Sequence, residues 1–320
     1  MRQRILSIGV WLGTSWTCFQ VLKEHGYEGK WMPLQDIMKF SFPAPFSHRA
    51  LFVVLADAIQ AAFPSFSYMK CFLLSQLVAI LAAFEAIRRW AALFVRPEFA
   101  FLAQLLLAVI LIPTLRYFNF YDFGIVFFFS ASLLCLFQER FFLYLGLLAL
   151  GTLNHEIVLL LVPVYLALHL PHGVRRLATW GRAALQLAVW GGVRLVMFWM
   201  LPSGVAPRVL IATNIQALLH PTARLLTLYL GPAMWTAVAV LGYRHAPPGL
   251  RRAVVLLPML VATTFAFGQF QEVRQFDAFI PVLVALILCA LPAKFAARPA
   301  LDTSPFIAPA AWGRAATPPP

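Results

Sequence analysis

Residues 117–156 read YFNFYDFGIVFFFSASLLCLFQERFFLYLGLLALGTLNHE, and how this stretch divides decides the fold. Asp122 opens the first of two apolar runs, and the polar trio Asn154-His155-Glu156 closes the second. A short charged turn, Gln138-Glu139-Arg140, separates them. The runs are too long for barrel strands and lack alternation of period two, so they are helices. A charge at the centre of a membrane helix costs about 2.5–3.5 kcal/mol on insertion scales, so polar groups at the ends of such runs are expected to serve something. The hairpin is therefore expected to carry the two ends of a polar site on one face of a membrane.

Composition sets the class. The chain has 320 residues, 62% hydrophobic and 12% charged, with a mean hydropathy of +0.81. A soluble domain of this length cannot hide that much apolar surface, so the chain reads as all-α, a polytopic transmembrane bundle. The net charge of +13 and pI of about 10.2 would suggest nucleic acid in a soluble protein. Here the charge is assigned to topology, because basic residues collect in cytoplasmic loops, and no nucleic-acid partner is expected. Cys18, Cys71, Cys135 and Cys289 lie in or beside apolar runs, a poor placement for a disulfide framework. The first run follows Arg2 and Arg4 without a small-residue cleavage pattern, so it reads as a retained anchor.

Taken outward from the hairpin, the chain gives about ten spans with both termini inside. They are residues 1–21, 66–87, 99–115, 123–137, 141–153, 157–170, 183–201, 225–243, 253–268 and 276–291. The two runs 141–153 and 157–170 fall short of the roughly 20 residues a crossing needs. They are either one long helix with Asn-His-Glu in its middle or a hairpin with the trio at its tip. Arg140 before them and Arg175, Arg176 and Arg182 after them belong on the same cytoplasmic side, which favours the hairpin with its tip outward. A first outer loop, 22–65, carries three prolines between Leu22 and Arg49, an amphipathic interfacial patch at Trp31–Phe40, and a short re-entrant or interfacial helix at Ala50–Phe63. Residues 1–292 form the transmembrane domain; 293–320, rich in Ala and Pro, reads as a disordered cytoplasmic tail.

This orientation, fixed by basic residues alone, leaves Glu24, Glu28, Asp36, Asp57, Asp122, Glu156, Glu272 and Asp277 on the outer side. With them lie Arg49, His155 and Arg274, and Arg194 in the outer half of its span. Carboxylate, imidazole and guanidinium together can deprotonate a hydroxyl and clamp a phosphate. Such groups also simply solvate loops, and Glu156 just before an apolar run equally suits a helix cap. Arg194, among Val193, Leu195 and Val196, needs a carboxylate or a lipid phosphate as partner. The scattered histidines His25, His48, His155 and His220 have no metal-ligand spacing, so no metal site is assigned. A carboxylate-bound divalent cation at the outer face stays open as a cofactor. No Walker loop, dinucleotide glycine fingerprint or Gly-x-Ser-x-Gly is present.

Three fragments in order, Pro45-Phe-Ser-His-Arg-Ala-Leu51, Tyr121-Asp122 leading to Thr152-Leu-Asn-His-Glu156, and Glu272-Val-Arg274, resemble a group of bacterial polytopic proteins. Those are similar to the integral-membrane glycosyltransferases of the GT-C class. The resemblance implies an inner-membrane enzyme that uses a polyprenyl-phosphate-linked sugar on the periplasmic face. It implies a catalytic carboxylate in the first outer loop, Asp36 or else Glu28. Arg49, Arg194 and Arg274 would hold phosphate, while Asp122, His155, Glu156 and Glu272 would shape the site or bind sugar hydroxyls. The tip of that class commonly reads Asn-Arg-Glu-Thr, whereas this chain has Asn154-His155-Glu156-Ile157, which removes a fixed positive charge and a hydroxyl. Two other classes fit the same composition. One is a carrier or lipid flippase lined by Asp122, Glu156 and Arg194; the other is a non-catalytic membrane subunit of an envelope-building complex.

Overall fold

The structure is a computed structural model that describes residues 2–25, 49–117, 120–170, 177–201, 209–220, 223–268, 273–292 and 295. The expected interfacial patch at Trp31–Phe40 and all of the 293–320 tail except Phe295 lie outside these residues. The described residues form helices and contain no strand. In chain order the α-helices are α1 Arg2–His25, α2 Leu51–Ala62, α3 Tyr68–Ala91, α4 Leu102–Leu111, α5 Asp122–Phe137, α6 Phe141–Asn154 and α7 Leu161–His169. They continue as α8 Leu177–Met200, α9 Ile211–Leu219, α10 Ala223–Tyr243, α11 Pro248–Ala253, α12 Leu256–Phe267 and α13 Ile280–Cys289. Tighter 3-10 turns occupy Pro97–Phe99, Ile112–Tyr117, Glu156–Leu160 and Val273–Phe279. Among the described residues four stretches are long and apolar enough to cross a membrane: Gln3–Glu24, Tyr68–Ala91, Leu177–Met200 and Pro248–Phe267.

The core is built around α3 and α5. On α3 the buried positions Tyr68, Phe72, Gln76, Ala79, Ala83, Ile87 and Trp90 recur every three or four residues, which puts them on one stripe. That stripe packs on α5, which is buried on every side, including Phe123, Val126, Phe129, Leu133 and Phe137. The Trp90 ring meets Phe137 edge-on at 4.8 Å, and its indole N–H donates to the Pro281 carbonyl at 2.8 Å. Pro281 sits in the first turn of α13, where its missing N–H costs nothing. The Trp11 indole donates to Leu81 O at 3.0 Å and pins α1 to the opposite side of α3.

The 141–170 stretch is a hairpin. The Phe141 and Tyr165 rings lie 6.0 Å apart, whereas a straight helix would separate positions 24 residues apart by about 36 Å. The reversal follows from His155, whose backbone is extended at φ −162° and ψ 135° and ends α6. The long helix α8 runs beside the hairpin from base to tip on an i, i+4 stripe. Arg182 lies 5.0 Å over the Phe141 ring, Gln186 accepts from the Tyr144 hydroxyl at 2.7 Å, and the Trp190 indole donates to Glu156 O at 3.1 Å.

Several boundaries differ from the sequence expectation. Helix α8 begins at Leu177, six residues before the expected 183, because Arg182 docks on Phe141 instead of marking a loop. The expected 253–268 run is preceded by α11 and breaks into α12 after residue 253. The last run starts as a 3-10 segment and becomes α-helical only at Ile280. The stretch after 201, expected to be a Pro-rich loop, contains α9. The short helix expected within Ala50–Phe63 is α2.

Candidate functional site

The polar groups gather where four elements meet: the segment just before α2, the start of α5, the hairpin tip and the C-terminal part of α8. Asn154, the last residue of α6, donates from Nδ2 to the Tyr121 carbonyl at 3.0 Å and so ties the tip to the start of α5. This close approach requires glycine at position 124, where an added Cβ would stand 2.7 Å from Asn154 Cγ. Gly151 does the same one turn lower, with only 3.1 Å from an added Cβ to Phe128 Cγ. The small residues let α5 and α6 close enough for the tip to be fixed by backbone contacts.

The cap at the tip is His155, where the sequence left Glu156 open as a cap or as a site residue. Its Nδ1 accepts the backbone N–H of Ile157 at 3.1 Å. With Nδ1 as acceptor, the ring proton sits on Nε2 and the imidazole is neutral. Glu156 Oε2 lies 3.7 Å from the same nitrogen, too far for a hydrogen bond, so the pair is not an ion pair in this state. The Glu156 carboxylate turns to Arg49. Arg49 Nη2 lies 2.6 Å from Oε1 and Arg49 Nε lies 3.3 Å from Oε2, a two-point grip. Arg194 Nη1 stands 4.0 Å from Oε2. Arg49 is 6% exposed, and its guanidinium carbon rests 4.2 Å over the Tyr121 ring, a cation–π contact. The same ring meets His155 edge-on at 5.0 Å.

Two guanidinium groups thus converge on one carboxylate, with an aromatic platform beneath and a neutral imidazole beside it. A small cleft that shares Tyr121 and His155 with this cluster is lined by Tyr121, Asp122, Ile125, His155, Ile157 and Gln275. Asp122 is buried at its rim, and Asp277 is buried nearby on the same 3-10 segment as Gln275. The arrangement can hold an anionic group at the guanidinium side, where Arg49 and Arg194 outnumber Glu156. It can exchange a proton or a hydrogen bond with a hydroxyl in the cleft through Asp122 or His155 Nε2.

Of the residues singled out in the sequence, Arg49, Asp122, His155, Glu156 and Arg194 come together here, though they span 146 positions of chain. Asp36, Glu28 and Glu272 lie outside the described residues, as does the side chain of Arg274. Their neighbour Gln275 opens onto the cleft. Sequence reasoning did not single out Gly124 or Trp190. A glycine two residues after Asp122, where a helix starts against a polar tip, was the signal for the first. Trp190 carried none beyond its four-residue spacing from Arg194. Among the described residues no group of three or more His, Cys, Asp or Glu side chains is placed to hold a metal ion. In comparison with known proteins, the chain matches no family model, no curated protein and no solved structure.

Proposed function

We propose that the chain is an integral-membrane glycosyltransferase of GT-C-like type. It would transfer a sugar from a polyprenyl-phosphate carrier to an acceptor at the outer, periplasmic face of a bacterial inner membrane. The observation that carries this reading is the Arg49–Glu156–Arg194 cluster, which joins the end of the first loop to the hairpin tip. The tip lacks the arginine common in the resembled class, and Arg49 and Arg194 return two fixed positive charges to the same place. Arg49, Arg194 and Arg274 bind the lipid phosphate; Asp122, His155, Glu156 and Glu272 orient the sugar; Asp36, or Glu28, is the base.

The topology that goes with it has ten crossings, made by α1, α3, α4, α5, α6, α7, α8, α10, the α11–α12 pair and α13, with both termini inside. Ring contacts support the alternation. Phe72 packs on Phe120 at 5.9 Å at one end and Trp90 on Phe137 at the other, so α3 and α5 run parallel, with α4 returning between them. Arg88, Arg89, Arg96, Arg140, Arg182, Arg251 and Arg252 then share the end opposite Glu156, as the distribution of basic residues in membrane proteins demands.

The test is sugar transfer from a polyprenyl-phosphate donor by the purified chain in nanodiscs. Wild type is expected to turn over. Asp36→Asn is expected to lose about 10²–10⁴ in rate, the usual contribution of a positioned base, with unchanged expression. Full activity in Asp36→Asn would remove that base. Accumulation of labelled substrate in vesicles, abolished by Glu156→Gln, together with no transfer, would replace the enzyme by a carrier.

A further inference from the structure

Helix α9 is not needed by the site described above, yet its surface is sharply divided. At about 100° per residue, Ile211, Ile215, Leu218 and Leu219 fall within one arc of about 100°, and all four side chains are exposed. Thr213, Gln216 and His220 are exposed on the opposite arc. The remaining side faces the protein. There Asn214 is buried and donates from Nδ2 to Phe265 O at 2.9 Å and Gly268 O at 2.8 Å, while Leu210 N donates to Ala266 O at 2.8 Å. These bonds satisfy carbonyls that α12 leaves unpaired at its C-terminus.

The level of α9 follows from its neighbours. Arg194 of α8 stands at Glu156, so α8 ends six residues beyond the hairpin tip. Helix α13 begins just after Gln275, which also lies at the tip. An added Cβ at Gly242, near the end of α10, would meet Leu286 and Ala290 at the far end of α13, so α10 starts at the tip end too. Helix α9 stands in the chain between the end of α8 and the start of α10, and therefore lies at the tip end of the bundle. Exposed apolar side chains also close α8 and α12: Phe198, Trp199, Met200 and Phe267. Tryptophan at a helix end is the residue that settles at a membrane–water boundary.

We propose that α9 is an in-plane helix, with Ile211, Ile215, Leu218 and Leu219 sunk in the acyl boundary of the tip-side leaflet and Thr213, Gln216 and His220 in the headgroups. The partner is the lipid bilayer. Through Asn214 the helix holds the end of α12, and so the 3-10 segment that presents Gln275 to the cleft, at a fixed depth. This rests on the chain being a membrane protein, and not on its being a transferase.

The test places a single environment-sensitive fluorophore at Ile215→Cys, Leu218→Cys, Thr213→Cys or Gln216→Cys, in the full chain with its four native cysteines replaced by alanine, in liposomes. Leu195→Cys, on the exposed flank of α8, is the control. The expected result is quenching of the 215 and 218 labels by brominated acyl chains, with several-fold weaker quenching by aqueous iodide than at 213 and 216. Labels at 215 and 218 that respond to iodide as strongly as those at 213 and 216 would overturn the proposal. Shielding from both quenchers would also overturn it and assign the face to a second copy or another protein. If 195 is not quenched by brominated lipid either, the membrane reading itself fails; if 195 is quenched and 215 is not, only the α9 inference fails. Should the cysteine-free chain not assemble, hydroxyl-radical footprinting of the wild type in nanodiscs reads the same division, with 211, 215, 218 and 219 protected and His220 oxidised.

Discussion

Helices α5 and α8 are both apolar, and they solve opposite problems. Helix α8 has 24 residues and buries only Thr179, Ala183, Gln186 and Met197; most of its apolar side chains face outward. Helix α5 has 16 residues and is buried almost completely. At 1.5 Å per residue α8 is about 36 Å long and α5 about 24 Å, against a hydrocarbon core of about 30 Å. The helix at the centre of the bundle is thus shorter than that core, and the one on the flank exceeds it. The difference lies at the tip end. There α5 starts late, behind Tyr121; α6 stops at Asn154; and the element before α13 is a 3-10 turn. The site sits in the space these shortened helices leave, about 9 Å below the end of α8. Backbone that is not α-helical at membrane depth is tolerated only where protein buries it or a cavity takes it up, and both hold here.

If that contrast is right, the largest effect on stability comes from the site and not from the flank. Replacing Glu156 by alanine strands Arg49 over Tyr121 without its carboxylate, and truncating one partner of a buried pair costs about 3–5 kcal/mol. Thermal unfolding in nanodiscs should show this loss, and the double variant Arg49→Met/Glu156→Leu should recover much of it. A single variant as stable as wild type would mean that the pair does not hold the tip. The next test sets two leucines against each other. Leu133→Ala, fully buried in α5, should cost about 2–5 kcal/mol, and Leu195→Ala, 62% exposed on α8, within about 0.5 kcal/mol. Equal losses would erase the distinction between core and flank. The smallest of the informative effects is Gly124→Ala, expected to cost about 1–3 kcal/mol by forcing Asn154 off Tyr121. It should lower the thermal midpoint in nanodiscs more than Gly146→Ala, where an added Cβ meets nothing within 4 Å.

Much of this was legible in the sequence, for identifiable reasons. Hydropathy and charge separate α3, α5, α6 and α8 because they are long apolar runs with arginines at one end. The hairpin was legible because Arg140 and Arg175 had to share a side. Arg194 announced a partner, a carboxylate or a lipid phosphate, since an arginine among valine and leucine cannot stand alone, and Glu156 stands 4.0 Å from it. What could not be read were effects of three-dimensional contact. Arg182 looked like a loop anchor because sequence alone does not reveal the Phe141 ring beneath it. Glu156 suited a cap as well as a site, because carboxylates often cap; the extended backbone at His155 gives the Ile157 N–H to the imidazole. Helix α9 was hidden by flanking prolines and by its length of nine residues. Such a short helix is stabilised by what it rests on and not by propensity.

The Trp90–Pro281 hydrogen bond carries a consequence for biosynthesis. Its partners are 191 residues apart, and at typical translation speeds of about 5–20 residues per second the indole waits on the order of ten seconds or more for its acceptor. Until α13 arrives, the pair α3 and α5 has an open side with a buried indole N–H lacking its native carbonyl. The membrane insertion machinery, or water, must tend that seam during synthesis. A chain halted before residue 280 is therefore expected to be recognised as unfinished and degraded, even though its membrane-length segments are already made.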